Sequence, residues 1–222
     1  MGRGGWPWMA AAVALAAAPL SSSSLRGAAP TSIAGPSFAD DFERREVGPD
    51  WWTTGGPWMI RAGELWGAGT RNNPLWLRME LPRDAAVEFT ARSETATGTR
   101  PGDIKFEVFG DGRAAGTGYV LVFGGWGNAV SAIARLDEHG ADRVERTDRR
   151  VEPGRTYRMR VERRDRVLRW LVDGDEFLVL DDPAPLAGPG HDRFGFSSWD
   201  SDLFFDDLRI GPLAVSPAPQ RP

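Results

Sequence analysis

The sequence predicts an all-β domain: a two-sheet antiparallel β-sandwich whose N- and C-terminal strands lie side by side. Three observations lead there. Apolar and polar residues alternate with period two through most of residues 37–213. Turn-forming pairs such as Pro153-Gly154 and Asp173-Gly174 punctuate those runs at short intervals. Phe38-Ala39-Asp40-Asp41-Phe42 near the start is mirrored by Phe204-Phe205-Asp206-Asp207-Leu208-Arg209-Ile210 near the end. Matching strands that open and close a domain are natural neighbours in a closed sandwich.

Residues 1–35 read as a secretory signal peptide. Arg3 supplies the positive start, and Trp6 to Leu20 form an apolar stretch shorter than the roughly 20 residues of a transmembrane helix. Ser32-Ile33-Ala34 before Gly35 and Gly27-Ala28-Ala29 before Pro30 both satisfy the small-x-small cleavage rule. An exported protein, periplasmic or extracellular, with no stable membrane insertion after cleavage is the expectation. The chain has no cysteine, so disulfides, zinc–thiolate sites and cysteine nucleophiles are excluded.

The body, residues 37–213, then justifies its strands one by one. Leu75, Leu77, Met79 and Leu81 alternate with Trp76, Arg78 and Glu80. Ala85, Val87, Phe89 and Ala91 alternate with Glu88, Thr90 and Arg92. Ile104, Phe106 and Val108 alternate with Asp103, Lys105 and Glu107, and Tyr157, Met159 and Val161 with Arg158, Arg160 and Glu162. Each pattern buries one face and presents the other to water. Asp173-Gly174 joins Val167–Val172 to Glu176–Leu180 as a hairpin, because Asp-Gly tolerates the positive φ of a type I′ turn. About a dozen short strands are expected, with no sustained helical period. Residues 214–222 are Pro-rich and read as a disordered tail.

These residues together resemble a known family. Asp40-Asp41-Phe42, Trp58-Met59-Ile60-Arg61-Ala62-Gly63-Glu64-Leu65, Val172-Asp173-Gly174, Gly190 to Phe196 and Phe205-Asp206-Asp207-Leu208 are similar to the concanavalin A-like lectin/glucanase jelly rolls, in their laminin-G-like and bacterial extracytoplasmic branches. The resemblance covers nearly all of residues 38–213. It implies a jelly roll and a link to carbohydrate, but its members include lectins, glycan-binding modules and glycoside hydrolases alike.

Hydrolases of that superfamily of the laminarinase type carry an E-x-D-x-x-E or E-x-D-x-E strand. The nearest strand here offers Asp103, Lys105 and Glu107 as weak catalytic candidates. Four residues of strand hold the two acids' Cα atoms about 13 Å apart. Glycosidase carboxyl pairs stand roughly 5–9.5 Å apart, and Lys105 lies between these two. The strand therefore reads either as a charged face of alternating sign or as a polar cleft that hydrogen-bonds a sugar. His139 and His191, the only histidines, have no metal-ligand spacing, and no G-x-S-x-G occurs.

Binding features are clearer. Trp76 falls on the polar side of its strand. Trp126 lies in Gly124-Gly125-Trp126-Gly127-Asn128, and Trp199 in Ser198-Trp199-Asp200. Indole faces beside Asn128 and Asp200 suit a sugar: the ring stacks on C–H bonds while polar groups take hydroxyls. Core packing is the competing use of these rings. From Arg143 to Arg169 eleven arginines face five acids, which reads either as a solvated sheet face or as a surface for acidic polysaccharide. The chain as a whole has net charge −4, so nucleic acid is not an expected partner.

Asp40, Asp41, Asp206 and Asp207 give a candidate structural calcium site if the end strands meet. No cofactor is otherwise required. The leading expectation is an exported, non-catalytic carbohydrate-binding module. A carbohydrate-active hydrolase or lyase with a divergent site, and a structural cell-envelope protein, are the alternatives.

Overall fold

A computed structural model describes Met1 and residues 37–95 and 101–213. The expected leader and tail lie outside the described residues. In chain order the strands are β1 (Phe38–Asp40), β2 (Trp51–Thr53), β3 (Met59–Arg61), β4 (Glu64–Ala68), β5 (Leu75–Leu77), β6 (Ala85–Glu94), β7 (Ile104–Gly110) and β8 (Tyr119–Gly124). They continue with β9 (Val130–Arg135), β10 (Val144–Arg146), β11 (Tyr157–Arg164), β12 (Val167–Val172), β13 (Asp175–Asp181), β14 (Arg193–Ser197) and β15 (Asp202–Pro212).

They form two antiparallel sheets. One runs β13-β12-β11-β6-β15-β4-β3, with β1 also paired to β15, and has eight strands among the described residues. The other has seven, in the order β10-β9-β8-β7-β14-β5-β2. The terminal strands do meet: Phe38 pairs with Ile210, Ala39 with Arg209 and Asp40 with Leu208. Among the described residues no helix is long and apolar enough to cross a membrane.

The alternating residues behave as the pattern requires. Phe89 of β6, Phe106 of β7, Phe194 and Phe196 of β14 and Phe205 of β15 point between the sheets and are buried. Phe89 meets Phe106 edge-on at 4.9 Å and Phe196 at 5.2 Å, and Phe196 lies 4.3 Å from Phe205. Edge-to-face rings at such distances add to the area they bury. Asp173 (φ 58°) and Gly174 (φ 91°) are both left-handed, the type I′ geometry expected between β12 and β13.

Three expectations need correction. The run from Leu75 stops being a strand at Leu77, because the backbone leaves the ladder: Arg78 N–H donates to the Asp50 carbonyl and Leu81 N–H to that of Asp192. Asp103 is not in a strand; its φ of 54° places it in the turn before β7. Trp76 is not exposed, although it lies on the outer face of the seven-stranded sheet. It crosses Gly195 of β14 and Gly110 of β7, where a Cβ on Gly195 would stand 2.6 Å from the indole. Two glycines on adjacent strands thus leave a trough into which the ring lies flat.

Candidate functional site

The outer face of the seven-stranded sheet is roofed by loops, and the site forms under that roof. Lys105 points outward from β7 yet is only 4% exposed. Its Nζ donates to Asn72 Oδ1 at 2.9 Å, pairs with Glu138 Oε2 at 2.7 Å and lies 3.8 Å from Asp103 Oδ1. Asn72 comes from the β4–β5 loop and Glu138 from the β9–β10 loop, and Asn72 Nδ2 also donates to Glu138 Oε1 at 3.3 Å. One buried ammonium therefore gathers two loops and a turn. The expected open, charged strand face is overturned here, because burying a lysine requires partners and the loops supply them.

Beside this cluster a cavity of about 530 Å³ opens. Its floor includes Asp103, Lys105 and Val122, and its rim carries Trp126, Glu138 and His139 on one side and Asn72, Trp199 and Asp200 on the other. Burial raises the pKa of Asp103, while the Lys105 charge and a hydrogen bond from Trp199 N–H at 2.6 Å oppose that rise.

The two rim tryptophans are placed by different means. The turn Gly125–Asn128 is left-handed at Trp126 (φ 50°, ψ 52°) and Gly127 (φ 73°, ψ 34°). Glycines on either side make that winding affordable. Trp126 is turned outward, 39% exposed, with the Arg143 guanidinium 4.5 Å above its ring and His139 edge-on at 5.8 Å. Trp199 is 48% exposed, with Arg71 5.3 Å over its ring. Its loop is stitched to the β4–β5 loop, where Arg71 N–H donates to the Trp199 carbonyl at 2.9 Å and Asn72 N–H to that of Ser198 at 2.8 Å. Asp200 pairs loosely with Arg71 at 3.4 Å, both groups exposed.

The structure thus brings together Asp103, Lys105, Trp126, Asn128, Trp199 and Asp200. Asn128 is present but committed. Its Nδ2 donates to the Val151 carbonyl and its Oδ1 accepts from Val151 N–H, each at 2.8 Å, so its amide clips the turn rather than facing a ligand. Glu107 lines an adjoining hollow with Gly116 and Leu136. It is 1% exposed, accepts from Gly116 N–H at 3.0 Å, and is pushed up to about 7 by burial against the lowering effect of those amides and Lys105. Trp76 does not reach the cavity. Asn72 and Glu138 were not foreseen, and Arg143 was named only as part of the arginine-rich segment. The lone lysine was the available signal for the first two, since a buried ammonium needs oxygen partners.

Much of the arginine-rich segment is paired with acids in place. Arg160 pairs with Glu88 and Glu162, Arg169 with Glu162 and Glu176, and Arg149 and Arg155 share Asp173.

The four aspartates do not build the expected calcium site. The Asp40 carboxylate is filled by Arg44, which donates Nη2–H to Oδ2 at 2.7 Å, by Trp51 Nε1–H at 2.8 Å and by Phe42 N–H at 2.9 Å. Burial would raise its pKa, but these donors hold it below the usual carboxylate value. Asp206 and Asp207 sit at a β-bulge of β15, with Asp207 at φ 53°, so strict alternation fails there. Among the described residues no group of three or more Asp, Glu, His or Cys side chains is placed to hold a metal ion.

No family model and no curated protein sequence matches the chain. Solved structures do. Carbohydrate-binding module CBM66 from Bacillus subtilis superposes with a TM-score of 0.59 at 13% identity, over 75% of this chain and 98% of that one. The carbohydrate recognition domain of Emp47p gives 0.55 at 16% identity, over 79% and 94%. A glycosyl hydrolase family protein from Mycobacterium fortuitum gives 0.55 at 12% identity, over 79% and 99%. Identities this low speak for architecture, and with the two sheets and the joined terminal strands they show that the chain is a jelly roll of the concanavalin A-like fold.

Proposed function

We propose that this protein is an exported carbohydrate-binding module that holds its ligand in the cavity between Trp126 and Trp199. One observation carries the reading: two outward-facing indoles, each fixed by its loop, border a single cavity whose floor is polar. That is the division of labour a pyranose requires, with ring faces for the C–H side and fixed polar groups for hydroxyls. The similar folds of a carbohydrate-binding module and a carbohydrate recognition domain support it.

The lining favours a neutral glycan over an acidic one. Asp103, Glu138 and Asp200 border the cavity, and the charge of Lys105 is already shared between Glu138 and Asp103. A non-catalytic role is supported by how the acids are engaged: Asp103 by Trp199 N–H, Glu138 by Lys105, Glu107 by Gly116 N–H. The test is a glycan array probed with the wild type, Trp126→Ala and Trp199→Ala. A neutral glycan bound by the wild type should lose at least tenfold in affinity in each variant, about 1.4 kcal/mol. Binding that is unchanged in both variants removes the cavity as the binding site.

A further inference from the structure

A second cavity, of about 640 Å³, lies away from the tryptophans at the end of the sandwich where β7 and β11 finish. It is lined by Arg83, Arg113, Arg163, Arg193, His191 and Phe109, among others. Arg163 is the unusual member. On β11 it continues the series Tyr157, Met159, Val161, so it occupies a core-facing position and is only 1% exposed. Its Nη1 donates to the Leu186 carbonyl, and its guanidinium lies 4.0 Å over the Phe109 ring. Leu186 is itself held, because its N–H donates to Tyr119 Oη at 3.0 Å.

Nε and Nη2 of Arg163 have no hydrogen-bond partner among the described residues and are closed to solvent, so a guest in the cavity reaches them only as the lining gives way. These two nitrogens are not an arbitrary pair. They form the side-on edge of the guanidinium, whose parallel N–H bonds match two oxygens of one oxyanion. The carboxylates that line the cavity are engaged elsewhere. Glu80 and Asp192 pair with Arg193 at 3.3 and 3.2 Å, and Asp111 accepts from Arg113 N–H, Ala114 N–H and the Thr117 hydroxyl. His191 Nδ1, on the same wall, is likewise buried without a partner.

We infer that this cavity is an oxyanion site, in which the Nε–Nη2 edge of Arg163 takes two oxygens of a carboxylate, sulfate or phosphate group while Arg83 and Arg113 draw the anion in from the exposed rim. Asp84 and Asp165 act on the guanidinium from a distance, but neither pairs with it directly. Burying a cation without a directly paired counter-charge is unfavourable, and an oxyanion on that edge relieves the penalty. The site is separate from the tryptophan cavity and stands whether or not that cavity binds glycan.

The experiment titrates sodium sulfate, phosphate and acetate into the full chain at constant ionic strength, with chloride as the reference. Melting temperature and the arginine Nε–H signals in a nitrogen-15 NMR spectrum are followed together. A saturable rise in melting temperature is expected with at least one oxyanion, accompanied by movement of a single buried Nε–H signal. Acetate against sulfate and phosphate separates a planar from a tetrahedral guest. Arg163→Met should abolish both responses. Arg163→Lys, which keeps charge but loses the paired edge, should weaken binding at least tenfold. If Arg163→Met does not fold, the Nε–H signal of the wild type decides alone. Equal thermal responses in wild type and Arg163→Met, or no Nε–H movement with any of the three anions, overturns the site.

Discussion

The outer faces of the two sheets solve one problem in two ways. Both carry charged residues at alternate strand positions. On the eight-stranded sheet those charges satisfy each other sideways, in the plane of the sheet: Arg160 lies directly across from Glu88 in the β11–β6 register, and Glu162 across from Arg169. These are ordinary cross-strand pairs. On the seven-stranded sheet the charges are met from above, Lys105 by Asn72 and Glu138, Glu107 by the Gly116 amide. Sideways pairing finishes a wall. Pairing from above recruits loops, and loops held at a distance from a sheet enclose space. The candidate binding cavity exists on one face only because its charges look to loops for their partners.

The contrast can be broken most directly at Trp76. If the roofed face is packed like a second core, Trp76→Ala should cost about 4 kcal/mol in urea unfolding. A cost under about 0.5 kcal/mol, the range of an exposed surface substitution, would mean that the roof is not closed. Glu107 sharpens the contrast through pH. Burial pushes its carboxyl up from the ordinary 4.5 to about 7, so between those pH values the folded chain retains a proton that the unfolded chain has released. Stability from this group is complete below about 4.5 and falls as pH rises toward about 7, by on the order of 3 kcal/mol in total. Glu107→Gln should flatten that slope, and a wild-type stability profile flat over the same range would sink the idea. The smallest effect belongs to the other face. Glu88→Gln should change stability by less than about 1 kcal/mol, because its carboxylate is partly solvated and Arg160 keeps Glu162.

Much of the architecture was legible in the chain because period-two patterns and Asp-Gly turns act locally. The neighbouring end strands were expected from their matching sequences, and the structure supplies the register, Phe38 opposite Ile210. Trp126, Trp199, Asp103 and Lys105 were each suspected from their immediate neighbours, and they do line one cavity. Burial on the outer face was not legible. Trp76 alternates like an exposed residue, and only the side-by-side placement of Gly195 and Gly110, 85 positions apart in sequence, makes room for it. Asn128 misled for a related reason. An amide beside a tryptophan suits a sugar, but this one faces Val151, a partner 23 residues away that neighbours in sequence do not reveal. The calcium expectation failed where local rules break, at the bulge in β15 and at Arg44, which supplies Asp40 with its positive charge.

The joined end strands have a mechanical consequence. β1 runs antiparallel to β15, and its first residue, Phe38, pairs with Ile210 close to where β15 ends. Tension applied between residues 37 and 213 would therefore load the ladder one rung at a time from that end, as a zipper opens, rather than all at once as in shear. Resistance should be low over the first two rungs and then rise sharply at the third, Asp40, where Arg44 and Trp51 hold the carboxylate. β15 would stay bonded to β6 and β4 throughout. The domain would yield a short length of slack at small force and keep the tryptophan cavity intact.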